Sequence, residues 1–116
     1  MKSLILLLLA MAMALSGCDP CDNEISRTVV SPSGKLKAVV FNRNCGATTG
    51  FNTQVSIIQA AEPLPGDGGN TLILAGTVPL RLEWRSDSTL RLQGLGAATV
   101  FRQSHSAAGV AVEYEN

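Results

Sequence analysis

Beyond residue 17, Gly or Pro interrupts the chain at such short intervals that a helix longer than about four turns has no room to form. Ten of the 11 glycines and all five prolines lie there, and the longest stretch free of both, residues 80–93, has no helical repeat. It alternates instead. Leu80, Leu82 and Trp84 are interleaved with Arg81, Glu83 and Arg85, and Leu90 and Leu92 with Thr89, Arg91 and Gln93, on either side of Ser86-Asp87-Ser88. A period of two puts the apolar set on one face, so this segment predicts an antiparallel hairpin with one solvated side. Trp84, the single Trp, is expected in the core beneath that hairpin and not as a ligand platform.

The rest of the chain reads the same way. Residues 25–30 and 35–42 are rich in Val and flank Ser31-Pro32-Ser33-Gly34, a turn in which Pro presets φ and Gly accepts φ > 0. Lys35 and Lys37 alternate with Leu36, Ala38 and Val40, giving a basic outer face and an apolar inner one. A polar loop of small residues, 43–50, precedes a strand over 51–59 with Phe51, Thr53, Val55 and Ile57 on one side. Residues 62–70, with Pro63, Pro65 and three glycines, predict a long exposed and mobile loop. A short strand follows over 71–75, Pro79 marks a break or edge, and two last strands, 98–103 and 109–115, flank the polar tip Ser104-His105-Ser106. The expectation is an all-β fold, a single small antiparallel meander packed as a sandwich or partly open barrel of about seven short strands. Residues 30–36 and 84–90 also echo each other at an offset of 54, as blade-like hairpins. A closed propeller needs at least four blades of about 40 residues, so one chain of this length cannot make one.

The N-terminus is different in kind. Residues 1–17 hold 13 of the 53 apolar residues, including all three methionines, and residues 4–15 form an unbroken apolar run after Lys2. At 1.5 Å per residue such a run is too short to span a bilayer, and it predicts a secretory signal peptide. Leu15-Ser16-Gly17-Cys18 resembles the lipobox of bacterial lipoproteins, in which the Cys is acylated and becomes the first mature residue. That resemblance implies lipidation at Cys18, where several acyl chains at about 0.8 kcal/mol per buried CH₂ would anchor the protein. Asp19 behind it resembles the retention signal of enterobacterial inner-membrane lipoproteins, which slightly favours the inner membrane and leaves the outer one open. The expected organisation is a signal peptide over 1–17, a lipid-proximal tether over 18–24 and one β domain over 25–116. From Cys18 onward the chain has eight basic and nine acidic residues, intermixed, which argues against a nucleic-acid partner or a polybasic membrane patch.

With Cys18 lipidated, Cys21 and Cys45 remain as an even pair in an oxidising compartment, and a disulfide between them is expected. It would close a loop of 25 residues, stabilising the fold by about 3.5 kcal/mol on the chain-entropy model. Two alternatives stay open. Cys18-x-x-Cys21 has the spacing of redox and zinc motifs but lacks a second Cys or His pair, and a free Cys45 could be activated by Arg43.

Ser31-Pro32-Ser33-Gly34-Lys35, the stretch 38–41, Arg43-Asn44-Cys45-Gly46-Ala47-Thr48-Thr49-Gly50-Phe51 and the stretch 53–57, with Trp84 to Leu90 as a Trp-x-Ser-Asp-x-x-Leu element, resemble a family of small, uncharacterised bacterial envelope lipoproteins sharing a Cys-Gly-Ala-Thr-Thr core. The resemblance covers about half of the mature chain and implies no catalytic residue. Read chemically, Arg43 offers a planar bidentate donor and Thr48 and Thr49 offer hydroxyls, so these three are the candidate ligand or partner contacts, suited to a small anion or a peptide carboxylate. The competing reading is purely structural, with Cys45 in a disulfide and the threonines capping backbone groups. His105 is the only His and has no acidic neighbour in sequence; Glu83 and Asp87 alternate with Arg81 and Arg85 as surface ion pairs would. No phosphate loop, metal set or nucleophile elbow is present. The sequence therefore predicts a membrane-anchored, periplasm-facing, non-catalytic lipoprotein without cofactor or metal, binding a protein or envelope component. The alternatives are a structural accessory subunit of an envelope complex, or a periplasmic inhibitor or immunity-type lipoprotein.

Overall fold

A computed structural model describes residues 21–46 and 50–116. The signal peptide, Cys18, Asp19, Thr48 and Thr49 lie outside the described residues. The described chain forms nine strands: β1 (Asp22–Val30), β2 (Leu36–Asn44), β3 (Asn52–Gln59), β4 (Leu72–Ala75), β5 (Arg81–Ser86), β6 (Thr89–Gln93), β7 (Val100–Gln103), β8 (Ser106–Ala107) and β9 (Val110–Glu115). They make two sheets, β1-β2-β3-β4-β7 and β5-β6-β9-β8. The all-β fold is thus observed, as two facing layers and not as a closed barrel.

The layers meet through the alternation already present in sequence. From the first sheet Ala38, Val40, Val55, Ile57, Leu72 and Leu74 point inward; from the second come Leu80, Leu90, Leu92, Leu95, Val110 and Val112. Burying each large aliphatic side chain contributes about 1.5–3 kcal/mol. Trp84 packs partly buried against this cluster, as its place in the hairpin pattern requires.

Within that fold, four details differ from the sequence reading. The strands number nine, not about seven, and the domain is not a pure antiparallel meander, because β6 and β9 pair in parallel from Thr89–Ala111 to Gln93–Glu115. The strands on either side of Ser104-His105 do not pair with each other. Ser104 N–H donates to Thr71 O and Val112 N–H to His105 O, so this tip carries the chain from one sheet to the other. The last hairpin is instead β8–β9, turning through Ala108 (φ 51°) and Gly109 (φ 77°). Two consecutive positive φ values define the hairpin turn whose twist matches its strands. At the other end β1 starts at Asp22, so residues 22–24, read as tether, are paired with β2.

The segment 62–70 is held, not loose. It runs along the outer face of the first sheet, where Val39 and Phe41 are buried. Asn23 Nδ2 donates to Pro65 O and Asp67 O at 2.9 Å each. Further along, Gly69 N–H donates to the buried Gln54 Oε1 at 2.7 Å. The Asn70 side-chain amide accepts from Ile57 N–H and donates to Ile57 O, at 2.9 and 2.8 Å, doing for β3 what a neighbouring strand would do. The backbone comes so close here that a Cβ on Gly69 would lie 2.8 Å from Val55 O and 2.9 Å from Leu72 O.

Sheet edges are blunted. An extra residue bulges from each of the three longer edge strands: Ser26 in β1, Arg85 in β5 and Phe101 in β7. The fourth edge, β8, is two residues long. Bulges and short edges discourage pairing with another chain. Side chains tie the edges of facing layers together: Trp84 Nε1 donates to Val29 O at 2.9 Å, and the Arg27 guanidinium donates to Leu80 O. The two echoing turns also meet, with Ser33 N–H donating to Asp87 Oδ1 at 2.8 Å. That bond, with the Ser33 hydroxyl and the Lys35 charge, holds the Asp87 carboxyl below its usual range. On the opposite side Tyr114 OH donates to Ser104 O at 2.5 Å.

Replacing Gly69 by Ala is expected to destabilise the fold by about 2 kcal/mol through overpacking against backbone; urea denaturation would check it, and an unchanged midpoint would contradict the close approach. Burial pushes the Tyr114 phenol up to about 12. The folded state therefore favours the protonated phenol, a contribution complete below the free value near 10 and lost as pH rises through about 12. Tyr114 is the only Tyr, so phenolate absorbance should titrate in one step near 12 while the chain is folded, and a midpoint near 10 would disagree.

Candidate functional site

One end of the sandwich collects the residues that the sequence singles out. Asp22 pairs with Asn44 and Asn23 with Arg43, which brings Cys21 opposite Cys45, and the Cys21–Cys45 disulfide is formed. Beyond Phe41–Gln54, the β2–β3 ladder is continued by side chains. Arg43 N–H donates to Asn52 Oδ1 at 2.8 Å, Asn52 Nδ2 to Arg43 O at 2.6 Å, and Asn52 N–H to Asn42 Oδ1 at 2.9 Å. Asn52 pairs in turn with Ala75, and Gly76 N–H donates to Phe51 O. Asp22, Asn44, Phe51 and Gly76 therefore lie at one level across the sheet, at the end where the chain enters.

Arg43 is committed to the protein's own backbone. Its Nη1 donates to Asn23 Oδ1 at 2.9 Å and to Gly66 O at 2.6 Å. The side chain read as an anion donor thus works with Asn23 as a clamp on the segment 65–67. Its companions Thr48 and Thr49 fall outside the described residues.

A groove opens on the same side. About 330 Å³ of space lies between the β1 bulge and the β4–β5 connection, lined by Ser26, Arg27, Val40, Val78 and Pro79 among others. A smaller pocket of about 120 Å³ continues it toward Phe51, Asn52 and Thr53. Thr53 Oγ1 donates to Gly76 O and accepts from Val78 N–H, fixing the connection that forms one wall. Ser26 Oγ donates to Val40 O, and the Arg27 guanidinium is bonded to Leu80 O. With the Ser26 hydroxyl and the Arg27 cation engaged on backbone, the groove presents the apolar surfaces of Val78 and Pro79 beside Thr77. Phe51 stands at its mouth with 75% of its surface exposed.

The remaining candidates lie elsewhere. His105 is exposed at the opposite end, its ring edge-on to Tyr114 with centroids 5.5 Å apart. Arg91, not Arg81 or Arg85, makes the ion contacts of the outer face, 4.0 Å from Glu113 and 3.9 Å from Glu115. Among the described residues no group of three or more His, Cys, Asp or Glu is gathered to hold a metal ion. No family model, curated protein or solved structure matches the chain.

Sequence reasoning missed the groove and the clamp. The groove depends on where residues 76–80 cross between sheets, which local periodicity does not encode. A signal for the clamp existed in the polar Asn23 and Arg43 at the end of a predicted strand pair, two positions from the cysteines. Arg43→Ala is expected to free residues 65–67 and cost about 2 kcal/mol, the scale of hydrogen bonds from a charged group. Limited proteolysis should then cut within 62–68; resistance equal to that of the unaltered protein would contradict the clamp.

Proposed function

We propose that the protein is a lipid-anchored, periplasm-facing lipoprotein of the bacterial envelope that acts by binding and not by catalysis. Cys18 carries the anchor, and the end of the sandwich around the Cys21–Cys45 disulfide is the surface that meets an envelope component. The observation that supports this best is the character of that end. Phe51 is exposed at the mouth of the groove while most large apolar side chains of the two layers are buried, and exposed apolar groups gathered at one place mark interaction sites. Arg43 supports such a surface from beneath by fixing the loop beside it, and Thr48 and Thr49 belong to the connection that carries Phe51.

Intact and peptide-level mass of the protein from native membranes tests the anchor. Acyl chains on Cys18 are expected, and Cys18→Ser should move the protein into the soluble fraction. An unmodified Cys18 in membrane-free protein would overturn the reading. A photoreactive amino acid at Phe51 should crosslink to an envelope component in cells, whereas the same group at exposed Arg85 should not; equal labelling would remove Phe51 from the contact surface.

A further inference from the structure

The envelope component that this end meets can be narrowed from charge and reach. Among the described residues, the connections 76–80 between β4 and β5 and 94–99 between β6 and β7 lie at the disulfide end. Neither contains a charged residue, and the charge-free stretches extend over 44–61, 68–80 and 92–101. The opposite end carries Lys35, Glu62, Asp87 and His105 in or beside its turns. Those connections are thus free of charge, whereas the turns of the opposite end are not. At the disulfide end Phe51 is 75% exposed, and Val100 and Phe101, at the start of edge strand β7, are 42% and 68% exposed. Asp22, Glu24, Arg43, Asp67, Arg81 and Glu115 stand around this end as a charged rim.

Reach selects the same end. Cys18 lies three positions before Cys21, a span of at most about 11 Å. Cys21 is bonded to Cys45, so the tether cannot lengthen by peeling β1 away from β2. Strands of nine residues such as β1 and β2 are about 30 Å long, which is too far for the tether to bring the Ser33 and Asp87 turns to a membrane that holds Cys18. The outer face of the second sheet, with Glu83, Arg91 and Glu113, is charged and also unsuited to lipid.

We propose that the disulfide end seats on the phospholipid interface, with Phe51 inserted among the headgroups and acyl-chain ends, Val100 and Phe101 beside it, and the charged rim in the headgroup layer. Aromatic side chains favour this zone. The seat makes the lipid anchor a two-point attachment and holds the strands upright, presenting the charged turns to the periplasm. This inference rests on Cys18 acylation.

The protein as isolated from native membranes, reconstituted in phosphatidylethanolamine and phosphatidylglycerol vesicles containing brominated phosphatidylcholine, tests it. Trp84, near the far turns and the only Trp, supplies the reference emission, and Phe51→Trp, Thr77→Trp and Ser33→Trp place exposed probes at the two ends. All should float with the vesicles. The emission added at 51 and 77 should be blue-shifted and lost to bromine quenching, while that at 33 and at Trp84 should persist. Flotation with unquenched emission at 51 and 77 would overturn the seat and leave the anchor standing, pointing to an envelope protein as the partner. Failure to float would remove the anchor and the seat together.

Discussion

The Cys21–Cys45 disulfide is the constraint on which the working end of this domain depends. It sits just beyond the Asp22–Asn44 pair and closes the open end of the β1–β2 hairpin. An edge strand would otherwise fray there, since its outer side has no ladder partner. With β1 held, Asn23 stays opposite Arg43, and the two together grip the backbone of residues 65–67. That segment runs along the outer face of the first sheet, where Val39 and Phe41 are buried. One covalent link thus supports a chain of dependence from strand register to loop position to burial of a second apolar face.

The other edges use weaker means to the same end. Trp84 and Arg27 join β1 to β5 and its approach, and Tyr114 joins the second layer to the crossover at Ser104. Each contact ends on a backbone carbonyl, so the side chains satisfy acceptors that the ladders leave open. The bulges at Ser26, Arg85 and Phe101 then turn the edges away from regular pairing. The outcome is a sandwich without a closed barrel, with the exposed aromatic side chains Phe51 and Phe101 toward the disulfide end.

Much of this architecture was legible in sequence because strand alternation is local. The β1–β2 and β5–β6 hairpins, the buried Leu90 and Leu92 and the pairing of Cys21 with Cys45 all follow from period, turn chemistry and parity. What was hidden is long-range. No local pattern tells that β9 would lie parallel to β6, or that the polar tip at Ser104 would be a crossover. The segment 62–70 has the composition of a mobile loop, yet Gln54, Ser56 and Asn70 supply the hydrogen bonds that fasten it. Arg43 stands out chemically in the sequence, and its bonds to Asn23 and the Gly66 carbonyl depend on long-range packing that the sequence does not show. Phe51, read as an inward residue by its alternation with Thr53 and Val55, lies just before β3 begins and is exposed. That single departure from alternation marks the proposed contact surface.

Hydrogen exchange of the protein with the disulfide intact and after reduction tests the central dependence most directly. The account predicts faster exchange in the first half of β1, the last residues of β2 and residues 65–69 after reduction, with β6 and β9 unchanged. Exchange that leaves the 65–69 segment protected while β1 frays would contradict it, because the grip of Asn23 and Arg43 would then hold without the disulfide.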